Sequence, residues 1–174
     1  MQHLITRLNE RFSIENVIAQ RADLAFVTIP KAELVMFLTH LRDIEGFTHL
    51  VFFTAVDQIE RHIFQLIYTL HNYDSHTDLG VYVELERQNP VMESIHHLWA
   101  QAATFQRELH EMFGLNFPGS PRIEDSFILE GWQDIPPMRR DFDTKAYSEK
   151  TFYPRPGRTT DDPREYMKEK LYSS

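Results

Sequence analysis

The nine histidines of this 174-residue sequence are the side chains best suited to binding a metal or transferring a proton. His96 and His97 are adjacent, so from a helix they would point in different directions. His110 has no second histidine three or four residues away, and no His-Glu-x-x-His motif occurs. These histidines therefore do not predict a zinc site.

One short segment places several metal-ligand types together. Four such residues lie within eight positions: His71, Asp74, His76 and Asp78. We interpret the segment as a solvated polar turn, because small polar residues between two extended runs are typical of a loop. A stand-alone metal-dependent enzyme that uses this loop, or a helix predicted over residues 98–113, remains an alternative.

The chain contains no cysteine. Disulfides, cysteine-ligated zinc and a conventional iron–sulfur cluster held by this chain are thereby excluded. A glycine-rich phosphate loop, a dinucleotide fingerprint and a serine nucleophile elbow are also missing from the sequence. We predict that this chain binds no cofactor or metal itself and has no catalytic residues.

Composition predicts one folded domain rather than a disordered chain, because 42% of the residues are hydrophobic and 13% are aromatic. Up to Gly114 the sequence has 8 Lys/Arg against 15 Asp/Glu, and beyond it 10 against 11. The acidic part disfavours nucleic acid and anionic membrane as direct partners. Without a long apolar run or a signal-peptide pattern, the chain is expected to be soluble and cytoplasmic.

A helix over residues 98–113 separates two kinds of sequence. Its apolar residues recur at steps of three and four, which is one stripe of an α-helix: Leu98, Ala102, Phe105, Leu109, Met112 and Phe113. Gly114 occupies the position of a left-handed residue that ends a helix, and prolines follow at 118 and 121. Ser94 is a candidate N-cap for this helix.

The residues before this helix predict a layered α+β body. The expected elements are a helix over 2–12, strands over 16–20 and 24–29 joined by a turn, a helix over 31–46, and strands over 47–56, 62–70 and 79–86. The first of the last three strands is rich in aromatic and β-branched residues and is too long and too apolar to be a loop, so we expect it to be central. The fold class is therefore α+β, a two-layer sandwich of helix, two strands, helix, three strands and helix.

Residues 115–174 predict an extended arm rather than a second domain. The arm holds seven of the nine prolines and lacks hydrophobic periodicity, although a terminal helix is expected over 163–172. It is also rich in aromatic residues: Phe117, Phe127, Trp132, Phe142, Tyr147, Phe152 and Tyr153. Such side chains need a surface to bury against, so we predict a body over 1–114 and an interaction arm over 115–174.

Three segments in order resemble the signature of a known family. They are Arg-Glu-x-x-x-Met-Phe-Gly followed by Phe-Pro-Gly-x-Pro, then Ile-Leu-Glu-x-Trp, then Pro-Met-Arg-Arg-Asp-Phe, within residues 100–142. The order resembles that of the C subunit (30 kDa subunit) of the proton-pumping NADH:quinone oxidoreductase, complex I. Energy-converting membrane-bound hydrogenases and related dehydrogenases have an equivalent subunit.

The resemblance implies a non-catalytic structural subunit of a membrane-associated, ion-pumping complex. In the implied complex, electrons pass from NADH through iron–sulfur clusters on other subunits to quinone, or to a nickel-iron site in the hydrogenase branch. The implied partners are the D-type large subunit and the B- and I-type iron–sulfur subunits. The chain would be peripheral at the cytoplasmic face and would contact the membrane only through the complex.

The same resemblance implies which residues face those partners. They are Arg107, Glu108, Phe113, Gly114, Phe117, Gly119, Pro121, Leu129, Trp132, Pro137, Arg139, Arg140, Asp141 and Phe142. Trp, Phe and Arg are also the side chains that buried interfaces favour. Two other interpretations stay open: the segment around Arg139 could fold back on the body as a strap, and Arg107 and Glu111 could form only a weak surface pair.

Two alternatives to the quinone-reductase function remain at this point. Ser120 stands where the quinone-reductase branch commonly has histidine, and residues 122–125 are largely acidic where that branch is commonly basic. Both departures are compatible with the equivalent subunit of a membrane-bound hydrogenase or a related dehydrogenase. A regulatory adaptor whose arm binds unrelated proteins is an alternative of another class.

Overall fold

The computed structural model describes residues 1–152. The chain divides into two compact units, Met1–Phe142 and Asp143–Ser174. In the second unit, a helix over Thr144–Phe152 begins where Asp143 Oδ1 accepts a hydrogen bond from the backbone N–H of Ala146 at 2.9 Å. The terminal helix predicted over 163–172 lies outside the described residues.

The first unit contains three α-helices and five strands, in the predicted order. They are α1 (Gln2–Asn9), β1 (Asn16–Ala19), β2 (Leu24–Thr28), α2 (Leu34–Asp43), β3 (His49–Gln58), β4 (Ile63–Asn72), β5 (Thr77–Glu86) and α3 (Ala102–Phe113). The helix in the second unit is α4. A 3-10 turn over Lys31–Glu33 leads into α2 after Pro30, whose fixed φ suits a helix start. No helix among residues 1–152 is both long and apolar enough to cross a bilayer.

The five strands form one sheet in the order β1-β2-β5-β4-β3. All neighbours are antiparallel except β2 and β5, which pair in parallel with Val27 opposite Val81. Along β4 every second side chain is buried, from Phe64 through Tyr68 to Asn72, and the intervening ones are half-buried. This period of two buries one sheet face against the helices. The predicted α+β two-layer sandwich is confirmed.

The helices fill the core on that one face. α2 contributes Phe37, Leu38 and Leu41, all fully buried, and α1 contributes Leu8. α3 contributes Leu109 and Met112. On the opposite face of the sheet the side chains of β4 are half-buried and those of β3 are half-buried or exposed, and we call it the open face. At its β3 edge, Phe52 meets the ring of Phe105 in α3 edge to face at 6.2 Å.

The prediction that residues 47–56 form a central strand is wrong. β3 pairs only with β4 and lies at the sheet edge, while β5 lies at the centre. The apolar residues on its second face, Phe52 and Val56, are exposed. The strand is rich in apolar residues because α3 covers part of this edge: the Phe52 ring meets Phe105 edge to face at 6.2 Å. A β-bulge between Leu50 and Phe52 places Phe52 and Val56 on the face opposite to the core.

The predicted start of α3 is also wrong. The helix begins at Ala102 with Gln101 as its N-cap, and the residues from Ile95 form turns. Ser94 is not the N-cap, because its Oγ donates to the side chain of Gln106 inside the helix. At the other end the prediction is confirmed: Gly114 has φ 74° and the backbone N–H of Gly114 donates to the carbonyls of His110 and Leu109.

The open face has one position where only glycine fits. A Cβ on Gly80 would lie 2.0 Å from Cδ1 of Phe26, its neighbour across the β2–β5 pair. The missing side chain lets the Phe26 ring lie over β5 and stack on Tyr82, with ring centroids 5.1 Å apart and planes 19° apart. The centre of the open face is consequently lined by two stacked rings.

Gly80→Ala is expected to destabilise the protein by about 1–3 kcal/mol, because the new methyl group would displace the Phe26 ring. The measurement is the free energy of unfolding in urea. In a Phe26→Ala background the same glycine substitution should cost much less, since the clash is gone. An equal cost in both backgrounds would refute the packing explanation.

Candidate partner interface

The first residues after α3 belong to the packing of the body. Leu115 and Phe117 are fully buried, and the Phe117 ring meets Phe53 of β3 edge to face at 5.7 Å. Asn116 pairs with the segment before α3: its N–H donates to the carbonyl of Pro90, and its carbonyl accepts from the N–H of Met92, both at 2.9 Å. The boundary at 114/115 stays a prediction, and these contacts show that residues 115–117 complete the core.

Residues 115–142, here called the strap, then cross the end of α3. A Cβ on Gly114 would lie 3.2 Å from Cγ of Pro136. The N–H of Met138 donates to the carbonyl of Met112 at 3.0 Å, which satisfies a carbonyl left free at the helix end. Phe113, a predicted interface residue, faces inward and meets Phe64 edge to face.

A buried polar cluster joins α3 to both flanking segments. Gln106 is fully buried, and its Oε1 accepts hydrogen bonds from the hydroxyls of Ser94 and Ser120, each at 2.8 Å. Its Nε2 has no partner among the described residues. Ser120 is therefore held inside the protein, although its neighbours Gly119 and Pro121 are exposed.

Glu111 holds the middle of the strap. Its carboxylate accepts hydrogen bonds from three successive backbone N–H groups, those of Phe127, Ile128 and Leu129, at 2.8–3.1 Å. Burial raises the pKa of Glu111, but these hydrogen bonds lower it more, so the pKa lies below its ordinary value. The carboxylate acts as a cap for a turn that makes no strand or helix.

The predicted pair Arg107 and Glu108 has two different environments. The Arg107 guanidinium carbon lies 5.5 Å from the ring centroid of Phe127, while its Nε is buried without a partner among residues 1–152. Glu108 is half-buried and makes no hydrogen bond or ion pair within the same residues. Charge attraction from Arg107 lowers the pKa of Glu111, but the hydrogen bonds of the Glu111 carboxylate go to the strap.

The last part of the strap is held by a charge cluster around Asp57. This buried carboxylate on β3 accepts hydrogen bonds from Arg87 Nε at 2.8 Å and from Arg87 Nη2 at 3.0 Å. It also accepts the backbone N–H of Arg140 at 2.9 Å, and Asp141 Oδ1 accepts from Arg87 Nη2 at 2.7 Å. One arginine thus joins a body carboxylate to a strap carboxylate.

The charges in this cluster stabilise one another. Burial raises the pKa of Asp57, but the hydrogen bonds from Arg87 and from the Arg140 backbone lower it below its ordinary value. The hydrogen bond from Arg87 likewise lowers the pKa of Asp141. The two carboxylates raise the pKa of Arg87, so all three groups stay charged at neutral pH.

The paired arginines of the strap use different partners. Arg139 lies with its guanidinium carbon 5.3 Å from the Phe64 ring centroid and donates to the carbonyl of Arg87 at 3.2 Å. The exposed Arg140 side chain forms a two-oxygen ion pair with Glu60 at 2.7 and 2.9 Å. The interpretation of this segment as a strap on the body therefore matches the structure.

The strap also has an outward side. Ile128 is 69% exposed and Met138 is 55% exposed, and Ile135 is exposed as well. Leu129 and Pro137 are half-buried, and Trp132 and Phe142 lie against each other with ring centroids 5.6 Å apart. The strap therefore combines an inner side fixed to the body with an outer side on which these apolar side chains are exposed among charged ones such as Glu130 and Asp134.

The candidate metal loop does not assemble a ligand set. His71 and Asp78 are partners across β4 and β5, with Nδ1 and Oδ1 2.8 Å apart. His96 Nδ1 lies 2.9 Å from Ser94 Oγ, and His110 Nδ1 lies 2.8 Å from the carbonyl oxygen of Leu115. Over residues 1–152, no group of three or more metal-ligating side chains is placed to hold an ion.

The residues that organise the strap were missed by sequence reasoning. Asp57 lies at the end of an apolar strand and was not predicted to be buried. It does continue the pattern in which every second residue, Phe53 and Ala55 before it, faces the core. A carboxylate in the core-facing register is a signal that a cation must reach it. In the sequence, Glu111 is one of several charged residues on the surface of a helix, and nothing indicates that its partners are backbone N–H groups.

Asp57→Asn is expected to destabilise the protein by about 3 kcal/mol at neutral pH, because Arg87 would lose its buried counter-charge. The folded pKa of Asp57 is depressed, so its stabilisation is present above the unfolded pKa of about 4 and is lost as pH falls through the folded value. Urea unfolding at a series of pH values should show the two proteins converging at low pH.

The matched control is Glu60→Gln, which removes an exposed ion pair of the same strap. Its effect should be much smaller and should disappear in high salt. A difference between wild type and Asp57→Asn that does not shrink with falling pH would contradict the charge explanation.

Glu111→Gln is expected to destabilise the protein by about 1–3 kcal/mol. The glutamine side chain has only one acceptor oxygen, and its NH2 group is a donor, so it cannot accept all of the hydrogen bonds from the three N–H groups. Hydrogen exchange should accelerate at the amides of residues 127–129. Glu108→Gln, on the same helix, is the control and should leave those amides unchanged. Equal exchange in both variants would argue against the capping role.

Comparisons with known proteins match most of the chain. The family model described as "Respiratory-chain NADH dehydrogenase, 30 Kd subunit" matches residues 27–148. The C subunit of the NADH-quinone oxidoreductase of Moorella thermoacetica is 29% identical over 147 residues, which cover 82% of this chain and 95% of that protein. The C/D subunit of the NADH-quinone oxidoreductase of Pseudomonas fluorescens is 27% identical over 83% of this chain, but the match spans only 26% of that longer protein.

Two solved structures share the fold. A chain in the structure of the membrane-bound sulfane sulfur reductase, an archaeal respiratory membrane complex, has a TM-score of 0.83 and 24% identity, covering 93% of this chain and 96% of that one. The trypsin-resistant fragment (1–134) of Nqo5 has a TM-score of 0.61 and 18% identity, covering 69% and 96%. With a family model matched along residues 27–148, the chain belongs to the family of the 30 kDa subunit of the respiratory-chain NADH dehydrogenase.

Proposed function

We propose that this chain is a structural subunit of the hydrophilic arm of a membrane-associated NADH:quinone oxidoreductase of the complex I type. It holds neighbouring subunits at fixed positions and leaves electron transfer to them. The family match and the relative from Moorella thermoacetica support this function. The strap also supports it, because its side chains are suited to binding another protein and not to catalysis.

The observation that carries the proposal is the two-sided strap. Glu111 and Asp57 fix its backbone from the body side through charged hydrogen bonds. The exposed side chains of Ile128, Ile135 and Met138 lie on a backbone that is already ordered. An ordered apolar surface binds a partner with a smaller loss of conformational entropy than a flexible tail does.

The partner proposed for the strap is the D-type large subunit, with the B- and I-type iron–sulfur subunits nearby. The name of the Pseudomonas relative, a C/D subunit, is consistent with C- and D-type parts being neighbours. In this proposal the iron–sulfur clusters and the NADH and quinone sites belong to those subunits. The chain reaches the cytoplasmic face of the membrane only as part of the assembly.

The equivalent subunit of a membrane-bound hydrogenase or related dehydrogenase is the second candidate function. The observation that favours it is Ser120, whose hydroxyl is committed to Gln106 in the interior. A side chain so placed cannot reach a partner. Co-purification followed by metal and flavin analysis of the whole complex distinguishes the branches, since the hydrogenase branch would contain nickel.

Replacing Ile135 and Met138 together by lysine is expected to weaken retention of the subunit in the complex about tenfold or more. The reason is that the outward apolar side of the strap would become charged while its inner contacts remain. The measurement is co-purification of the tagged full-length chain from native membranes, with its melting temperature measured in parallel.

The control is Met36→Lys, which charges an equally exposed methionine on α2, far along the chain from the strap. It should leave retention unchanged. The proposed function would be wrong if the wild-type chain captured no redox subunits. The role of the strap would be wrong if the double variant were retained like wild type.

A further inference from the structure

We propose that the open face of the sheet is a second docking surface, which binds a subunit presenting a flat apolar area edged by lysine or arginine. The proposal rests on the proposed function, because it takes that partner to be another member of the same complex. It concerns the face of the sheet opposite to the strap contacts around Asp57 and Phe64.

Strand register shows that an apolar row crosses the whole open face. Reading from edge to edge, paired residues follow one another in the order Ile18, Phe26, Gly80, Thr69 and Phe52. The next row contains Asn16, Thr28, Tyr82, Ile67 and Thr54, and Val56 follows beyond it. No charged residue occurs in these two rows.

The open face is flat as well as apolar. Gly80 has no side chain to project, and the Phe26 ring lies in the space it leaves and stacks on Tyr82. At the β3 edge, Val56 is 43% exposed, and Phe52 is 49% exposed although one side of it meets the Phe105 ring of α3. A folded surface that keeps large apolar side chains exposed along one face marks an interaction site.

Charges are confined to the two ends of the open face, and those that lack a counter-charge are acidic. At one end Glu84 pairs with Arg61, but the exposed Glu86 has no ion-pair partner within the described residues. At the other end Asp78 pairs with His71, and Asp74 has no such partner in the same part of the chain. The field at the rim therefore attracts cations.

The acidic ends of the open face indicate which kind of partner can bind there. A second copy of this chain would bring the same acidic ends against each other, which costs free energy. Residues 1–114 hold 8 Lys/Arg against 15 Asp/Glu, and Arg61, at one end of the face, already pairs with Glu84, so a dimer would bring an excess of negative charge together. A different subunit with lysine or arginine around an apolar centre meets both requirements, and complementary charge fixes its orientation.

The test places a photo-crosslinking residue, p-benzoylphenylalanine, at position 56 of the full-length chain in its native host. Val56 is replaced because it is exposed on the open face, and Met36, 61% exposed on α2, is the matched control position. After irradiation the complex is purified through a tag on this chain. Mass spectrometry then identifies the crosslinked peptide.

The expected result is a crosslink from position 56 to another subunit of the complex, at a yield well above that from position 36. Crosslinks from position 56 to a second copy, to residues 153–174 of the same chain, or to nothing would overturn the inference. If the tagged wild-type chain purifies without redox subunits, the proposed function fails instead. The two failures are therefore distinguishable.

A charge reversal tests the rim independently of packing. Glu86→Lys should reduce retention in the complex about three- to tenfold, with a smaller effect at high salt, since a rim charge acts through long-range attraction. Glu10→Lys, at the end of α1 on the helix-covered side, is the control and should have little effect. Unchanged retention in Glu86→Lys would refute the cationic character of the partner.

Discussion

The carboxylate of Asp57 is a buried charge, and a buried charge persists in a protein only when hydrogen bonds and a counter-charge replace the water it has lost. Arg87 supplies the counter-charge, and the backbone of Arg140 supplies a further hydrogen bond. The requirement ties residues 57, 87 and 140 together although they are far apart in sequence. Because the strap satisfies a need of the body, its position is fixed before any partner arrives.

The same logic recurs along the strap. Glu111 is held by three backbone N–H groups, and Gln106 by the hydroxyls of Ser94 and Ser120. At each point a polar side chain of the body fixes a strap segment that has no regular secondary structure. A segment without helix or strand hydrogen bonds needs such partners to be ordered. Order in the strap is therefore produced by tertiary contacts.

A rigid unit with two surfaces that are proposed to bind neighbours suits a subunit whose role is spatial. Electron transfer between fixed centres depends on their spacing, and a layered α+β body changes shape little under load because its interior is close-packed. In the proposed arrangement the strap binds one neighbour and the open face binds another. The chain would then set the distance between them without taking part in the redox chemistry.

The sequence by itself determined the fold class, the order of helices and strands and the end of α3 at Gly114, because these depend on local periodicity and on backbone preferences of glycine and proline. The order of segments between residues 100 and 142 also sufficed for the family. Only the tertiary structure decided that β3 lies at an edge, that Ser94 binds Gln106 rather than capping α3, and that Asp57 and Glu111 hold the strap. Strand order and hydrogen bonds to backbone groups join residues distant in sequence, and neither leaves a periodic pattern that local reasoning could detect.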